Sequence, residues 1–75
     1  MGAFRWTPQE MDRLERAARD GRRIVLFRRG TEYVVVARRV RALGRDDAVI
    51  GYLPTTGEEL VFLLNDIDDF RMVGE

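Results

Sequence analysis

Thirteen arginines and no lysine carry every basic charge of this chain, and eight of them lie between residues 22 and 45: Arg22, Arg23, Arg28, Arg29, Arg38, Arg39, Arg41 and Arg45. The guanidinium group is planar and permanently charged, grips phosphate or carboxylate through paired hydrogen bonds, and stacks on aromatic faces. Tyr33 and Tyr52 supply such faces within the same stretch of chain. Arginines interleaved with aromatics can hold single-stranded nucleic acid, the charges neutralising phosphates and the rings stacking on bases with little demand for sequence. Scattered surface charge is the simpler reading of the same residues. The candidate contact set is Arg28, Arg29, Tyr33, Arg38, Arg39, Arg41 and Tyr52. If the strand that carries most of them keeps strict alternation, Tyr33, Arg39 and Arg41 fall on one face.

Other chemistry is poorly served. Cysteine and histidine are both absent, which removes disulfides, thiolate nucleophiles, imidazole acid–base catalysis and the usual zinc and haem ligands. Thr55 and Thr56 have no histidine to activate them, so no nucleophilic constellation forms and no enzyme, cofactor or small-molecule substrate is expected. Asp66, Asp68 and Asp69, with Asn65, could offer oxygen ligands to a hard cation, but they lack the central glycine and distal glutamate of a calcium-binding loop. A solvated turn, with Ile67 and Phe70 directed to the core, is the simpler reading, and an acidic contact surface is a third. Leu53-Pro54-Thr55-Thr56-Gly57 spells a cell-wall sorting signal, yet Glu58-Glu59 and a strand pattern follow where a membrane-length apolar segment would be needed. Proline early and glycine late make it a β-turn.

Charge is unevenly spread although the total is zero. Residues 1–45 hold twelve arginines against five acids, and residues 46–75 hold one arginine against eight. Folding either mixes these halves or leaves opposed patches. No apolar run approaches the ~20 residues that span a bilayer, and residues 1–10 lack the apolar core of a signal peptide, so a cytoplasmic protein without membrane contact is expected.

The elements that must position these groups are readable from local pattern. Thr7-Pro8-Gln9-Glu10 has the form of a capping box, with Trp6 and Met11 placed for a hydrophobic staple. Met11, Leu14, Ala17 and Ala18 form one apolar stripe, Asp12–Arg16 and Glu15–Arg19 are i,i+4 ion pairs, and Gly21 is a left-handed stop. Five strands follow, near Arg23–Arg28, Thr31–Ala42, Ala48–Leu53, Glu59–Leu64 and Asp69–Val73. Turns are expected at Arg29-Gly30, Leu43 to Asp47, Pro54 to Gly57 and Asn65 to Asp68, and the long second strand should bend or bulge near Arg38, where apolar alternation breaks. Ile24 to Phe27, Val34 to Val36 and Leu60 to Leu64 are apolar at successive positions, which calls for cover on both faces. One helix of about 18 Å cannot provide it, so barrel closure or a second copy of the chain is expected to.

A single domain over residues 1–75 results, with a helix over about 7–20 and a barrel over about 22–73. The fold class is α+β, mainly β: an N-terminal helix followed by a five-stranded antiparallel barrel. Leu14-Glu15-x-x-Ala18 on the helix, Arg29-Gly30-x-Glu32 in the first hairpin and Leu64-x-Asp66-x-Ile67 before the last strand resemble the bacterial Rof family, Sm-like inhibitors of the transcription-termination factor Rho. That resemblance implies an Sm-like or SH3-like barrel and a partner in the RNA or transcription machinery. The expected function is a non-enzymatic binding module for RNA or such a protein. A homo-oligomeric protein-interaction domain is the alternative.

Overall fold

Thr7 begins the helix as its residue type requires. Its backbone is extended, and its hydroxyl accepts the Glu10 backbone N–H at 3.2 Å. The capping box is only half closed, because the Glu10 carboxylate turns forward to Arg13 (2.7 Å) rather than back to Thr7, whose own N–H donates to the Arg5 carbonyl. Pro8–Asp20 form the helix, α1, which ends at Gly21 in the left-handed conformation (φ 66°). Leu14 and Ala17 on its apolar stripe are fully buried, with Met11 and Ala18 packed beside them. Asp12 and Arg16 pair at 2.9 Å, whereas Arg19 approaches Asp20 (3.9 Å) instead of the expected Glu15.

The computed structural model describes residues 4–74; the remaining ends of the expected domain, 1–3 and 75, lie outside the described residues. After α1 come β1 (Arg23–Arg28), β2 (Thr31–Leu43), β3 (Asp46–Tyr52) and β4 (Glu59–Leu63). A short 3₁₀ turn (Leu64–Asp66) then leads into β5 (Asp69–Met72). Arg29 and Gly30 both have positive φ (51° and 79°), the signature of a two-residue hairpin turn whose twist matches its strands. The second hairpin is tighter than expected. Leu43 pairs with Asp46 across Gly44-Arg45, so β3 begins two residues early and the anticipated loop at 43–47 is mostly strand.

All pairings are antiparallel, in the order β4-β3-β2-β1-β5. The sheet is open. The barrel anticipated over residues 22–73 is not closed, because β4 pairs with β3 and β5 with β1, leaving both as edges. The physical reason is the chain between them: the 3₁₀ turn sends Leu64 and Ile67 inward as core side chains instead of continuing a hydrogen-bonded ladder. Residues 4–7 strap this seam, with Phe4 N–H donating to the Ile67 carbonyl (3.2 Å) and the Trp6 indole N–H to the Leu64 carbonyl (2.9 Å). Trp6 also stacks on Phe70, the ring centroids 5.5 Å apart. It therefore closes the open side of the core rather than serving the helix start alone.

Beneath α1, the core gathers Ile24 and Leu26 of β1, Val35 and Ala37 of β2, Val49 of β3, Phe62 of β4 and Phe70 of β5. Fully straight, the thirteen residues of β2 would reach about 40 Å at ~3.3 Å per residue, beyond the molecule's largest extent of 30 Å. The strand bends where the sequence pattern breaks: the register jumps from Ala37↔Gly51 to Arg39↔Ile50, leaving Arg38 as an extra residue in a β-bulge. Gly51 is the partner that makes this possible, since a Cβ there would lie 2.8 Å from the Val36 carbonyl oxygen.

Candidate functional site

The bulge decides which arginines meet. Before it, Tyr33, Val35 and Ala37 face the core; after it, Val40 takes over that side, paired with buried Val49. Arg39 and Arg41 are thereby turned to the opposite, outer face, where Arg39 lies across from Ile50 and Arg41 across from Ala48. The expected grouping of Tyr33 with Arg39 and Arg41 is corrected: one inserted residue reverses the parity of every position after it.

Tyr33 belongs to the other end of β2. It is paired with Leu26, meets Phe62 edge-on (centroids 5.1 Å), and its hydroxyl accepts from Arg28 at 3.3 Å. The Arg28 guanidinium lies 5.0 Å from the Tyr33 ring centre and 4.8 Å from that of Phe62, so this cation covers the end of the core. Arg29 occupies the hairpin turn, its backbone N–H donating to Asp68 Oδ2 at 2.9 Å. These three residues form a separate group around the first hairpin. They hold the hairpin to the core and to the β5 approach.

The remaining four candidates lie along β2 and β3 at and beyond the bulge. Arg38, Arg39 and Arg41 are exposed around and beyond the bulge, and Arg38 stands over the half-buried Tyr52 ring at 5.8 Å. Tyr52 is on the outer face, paired with Val36, and Val36 is paired in turn with Arg23. The register therefore adds Arg23, which belongs to the sequence's arginine run but not to its contact set. Only the cross-strand pairing could have placed it there.

Electrostatically this group differs from four of the other arginines. Arg13, Arg16, Arg19 and Arg71 each have a carboxylate within 4 Å on their own helix or strand. Among the described residues Arg22, Arg23, Arg38, Arg39, Arg41 and Arg45 form no ion pair, as is also true of Arg5, Arg28 and Arg29. Their charge is left for a partner. Three of the acids that follow in sequence are engaged elsewhere: Asp46 accepts from the Asn65 amide at 2.6 Å, Asp68 from Arg29, and Asp69 pairs with Arg71 at 3.1 Å, whereas Glu59 lies across from Tyr52. Among the described residues no three potential metal ligands converge, and Asn65 to Asp68 serve as the turn that buries Ile67 and Phe70.

Beside the bulge lies an open depression of about 660 Å³, between the end of α1 and the 53–57 turn. Ala18, Gly21, Ala37 and Gly57 line it with small residues, Arg19, Asp20 and Arg38 with charge of both signs, and Tyr52 with a ring. The 53–57 segment is a turn, as expected, closed by Gly57 N–H donating to the Leu53 carbonyl (2.7 Å) and Leu53 N–H to that of Glu58 (2.9 Å). A second depression of about 250 Å³ holds Arg13, Arg16 and Arg22, the first two already paired with acids of α1.

The outer face also carries apolar groups, some of them covered within the chain and some not. Ala48 and Ile50 are buried (0% and 5% exposed) beside Arg41 and Arg39, whose alkyl stems can shield them. Val34 and Val61 are 40% and 46% exposed. Two-sided cover of the apolar runs is therefore incomplete. No described helix is long and apolar enough to cross a membrane. Comparison with protein-family models, curated protein sequences and solved structures finds no match, so the arrangement of these side chains is what bears on function.

Proposed function

We propose that this chain is a non-enzymatic binding module, of the Sm-like or SH3-like kind that its sequence resembles, and that its outer β2–β3 face takes RNA. One observation carries the reading: Arg23, Arg38, Arg39 and Arg41, none of them in an ion pair, share the outer face with Tyr52, whose own cross-strand neighbour is Glu59, and Arg38 lies over its ring. Unpaired guanidinium groups on a rigid sheet release counterions when they meet phosphates, which makes a polyanion the favoured ligand.

The test is a fluorescent single-stranded RNA titrated at several salt concentrations, with the wild-type chain and an Arg39→Gln/Arg41→Gln variant. Log affinity should fall linearly with log salt, and the variant should lose about 1.4 from the slope, ~0.7 for each phosphate contact removed. Absence of binding at low salt would refute the RNA reading. The second reading is a homo-oligomeric protein-interaction domain, favoured by exposed Val61 on edge strand β4 and by the open edges of β4 and β5. Light scattering separates the two, since a strict monomer at tens of micromolar leaves no assembly to explain.

A further inference from the structure

We infer that the depression beside the bulge is a base-stacking site, so that the face prefers an unpaired strand to a duplex; this rests on the reading of the outer face as an RNA-binding surface. Three features of the depression point to a flat, partly apolar group next to an anion. Ala18, Gly21, Ala37 and Gly57 leave part of its wall low, between the charged Arg19, Asp20 and Arg38, so that Arg38 is the side chain a ring would displace. Its volume of about 660 Å³ falls within the roughly 300–1,000 Å³ of small-ligand clefts. Tyr52 presents a half-buried ring to it, fixed by strand pairing with Val36 and so already ordered before a ligand arrives.

Arg38 now lies over that ring, 5.8 Å from its centre. This is a loose contact at a solvated position, weaker than a base–aromatic stack. A base laid on Tyr52 takes the place of the guanidinium, and Arg38, on its bulge, is freed to meet the adjoining phosphate. Arg23, Arg39 and Arg41 are on the same face to follow the backbone on either side. In a duplex the bases are stacked on one another and paired, and none is available to enter. Only the charge contacts would then remain.

The full-length chain is titrated with a fluorescent oligouridine of about ten nucleotides, within the usual site size of single-strand binders, and with an RNA duplex of equal length. Tyr52→Leu keeps the charge and removes the ring. It should weaken single-strand binding by about 5- to 100-fold, leave the salt slope unchanged, and leave duplex affinity within about twofold. Tyr52→Phe, which keeps the ring, should bind as the wild type does, and circular dichroism checks that both variants fold. If Tyr52→Leu folds and binds the single strand as tightly as wild type, or loses both ligands equally, the stacking site is refuted while the arginine face stands. If neither RNA binds at low salt, both readings fall together.

Discussion

Gly51→Ala is a one-methyl test of the bulge that turns Arg39 and Arg41 outward. The added carbon would sit 2.8 Å from the Val36 carbonyl oxygen, 3.1 Å from Val35 Cγ2 and 3.3 Å from Val35 Cβ. The first of these atoms is backbone and cannot rotate away, so β2 or β3 must move. Overfilling a packed site in this way costs about 1–3 kcal/mol. Against it stands a gain of about 0.5–1 kcal/mol, because alanine has less freedom to lose on folding than glycine. The net expectation is destabilisation by about 1 kcal/mol, or a melting temperature lower by roughly 4–8 °C in a domain of this size. Thermal unfolding followed by far-ultraviolet circular dichroism measures it, with Thr55→Ala in the exposed 53–57 turn as an indifferent control. A melting temperature unchanged or raised would mean that β2 and β3 do not approach as closely as the bulge requires, and the derived placement of Arg39 and Arg41 would lose its basis.

Two further substitutions separate structural from binding roles. Arg29→Asn creates an Asn-Gly turn at a position where a non-glycine residue is held at φ 51°; the melting temperature should rise, by about 0.5–1 kcal/mol of stability, with RNA affinity within about twofold of wild type. A large loss of affinity without loss of fold would instead put Arg29 in the contact surface. Trp6→Phe removes the indole N–H that satisfies the Leu64 carbonyl at 2.9 Å and should cost about 1–2 kcal/mol, read as a lower urea midpoint. An unchanged midpoint would show that the 4–7 strap does not hold the open side of the core.

The acidic end of the chain folds back beside the basic one without neutralising it. Asp46 and Asp47 sit across from Leu43 and Ala42 at the closed end of the β2–β3 hairpin, while Arg38 and Arg39 lie at its far end, by the bulge. Net charge zero thus coexists with a local basic surface. Composition reports the sum of the charges, and only strand register reports where each is placed.

Short-range rules were enough for much of this protein. Thr7, Pro8 and Gly21 bound the helix because capping and left-handed backbone preferences act within a few residues. Arg29-Gly30 closes the first hairpin for the same kind of reason, and the break in alternation at Arg38 marks the bulge. Glu10 already lies outside that reach: both a capping partner and Arg13 are close enough, and competition between them is settled by side-chain geometry. What tertiary structure alone decided is the consequence of the bulge and the fate of the edges. An inserted residue reverses which face follows it, so Tyr33 went to the core with Arg28 and Phe62 while Arg39 and Arg41 joined Tyr52 and Arg23 outside. Similarly, whether β4 and β5 meet depends on how Leu64, Ile67, Trp6 and Phe70 fill the space between them, a matter of packing among residues more than fifty positions apart. Local propensity has no term for contacts at that separation, and none for the strand register that sets the composition of the arginine face.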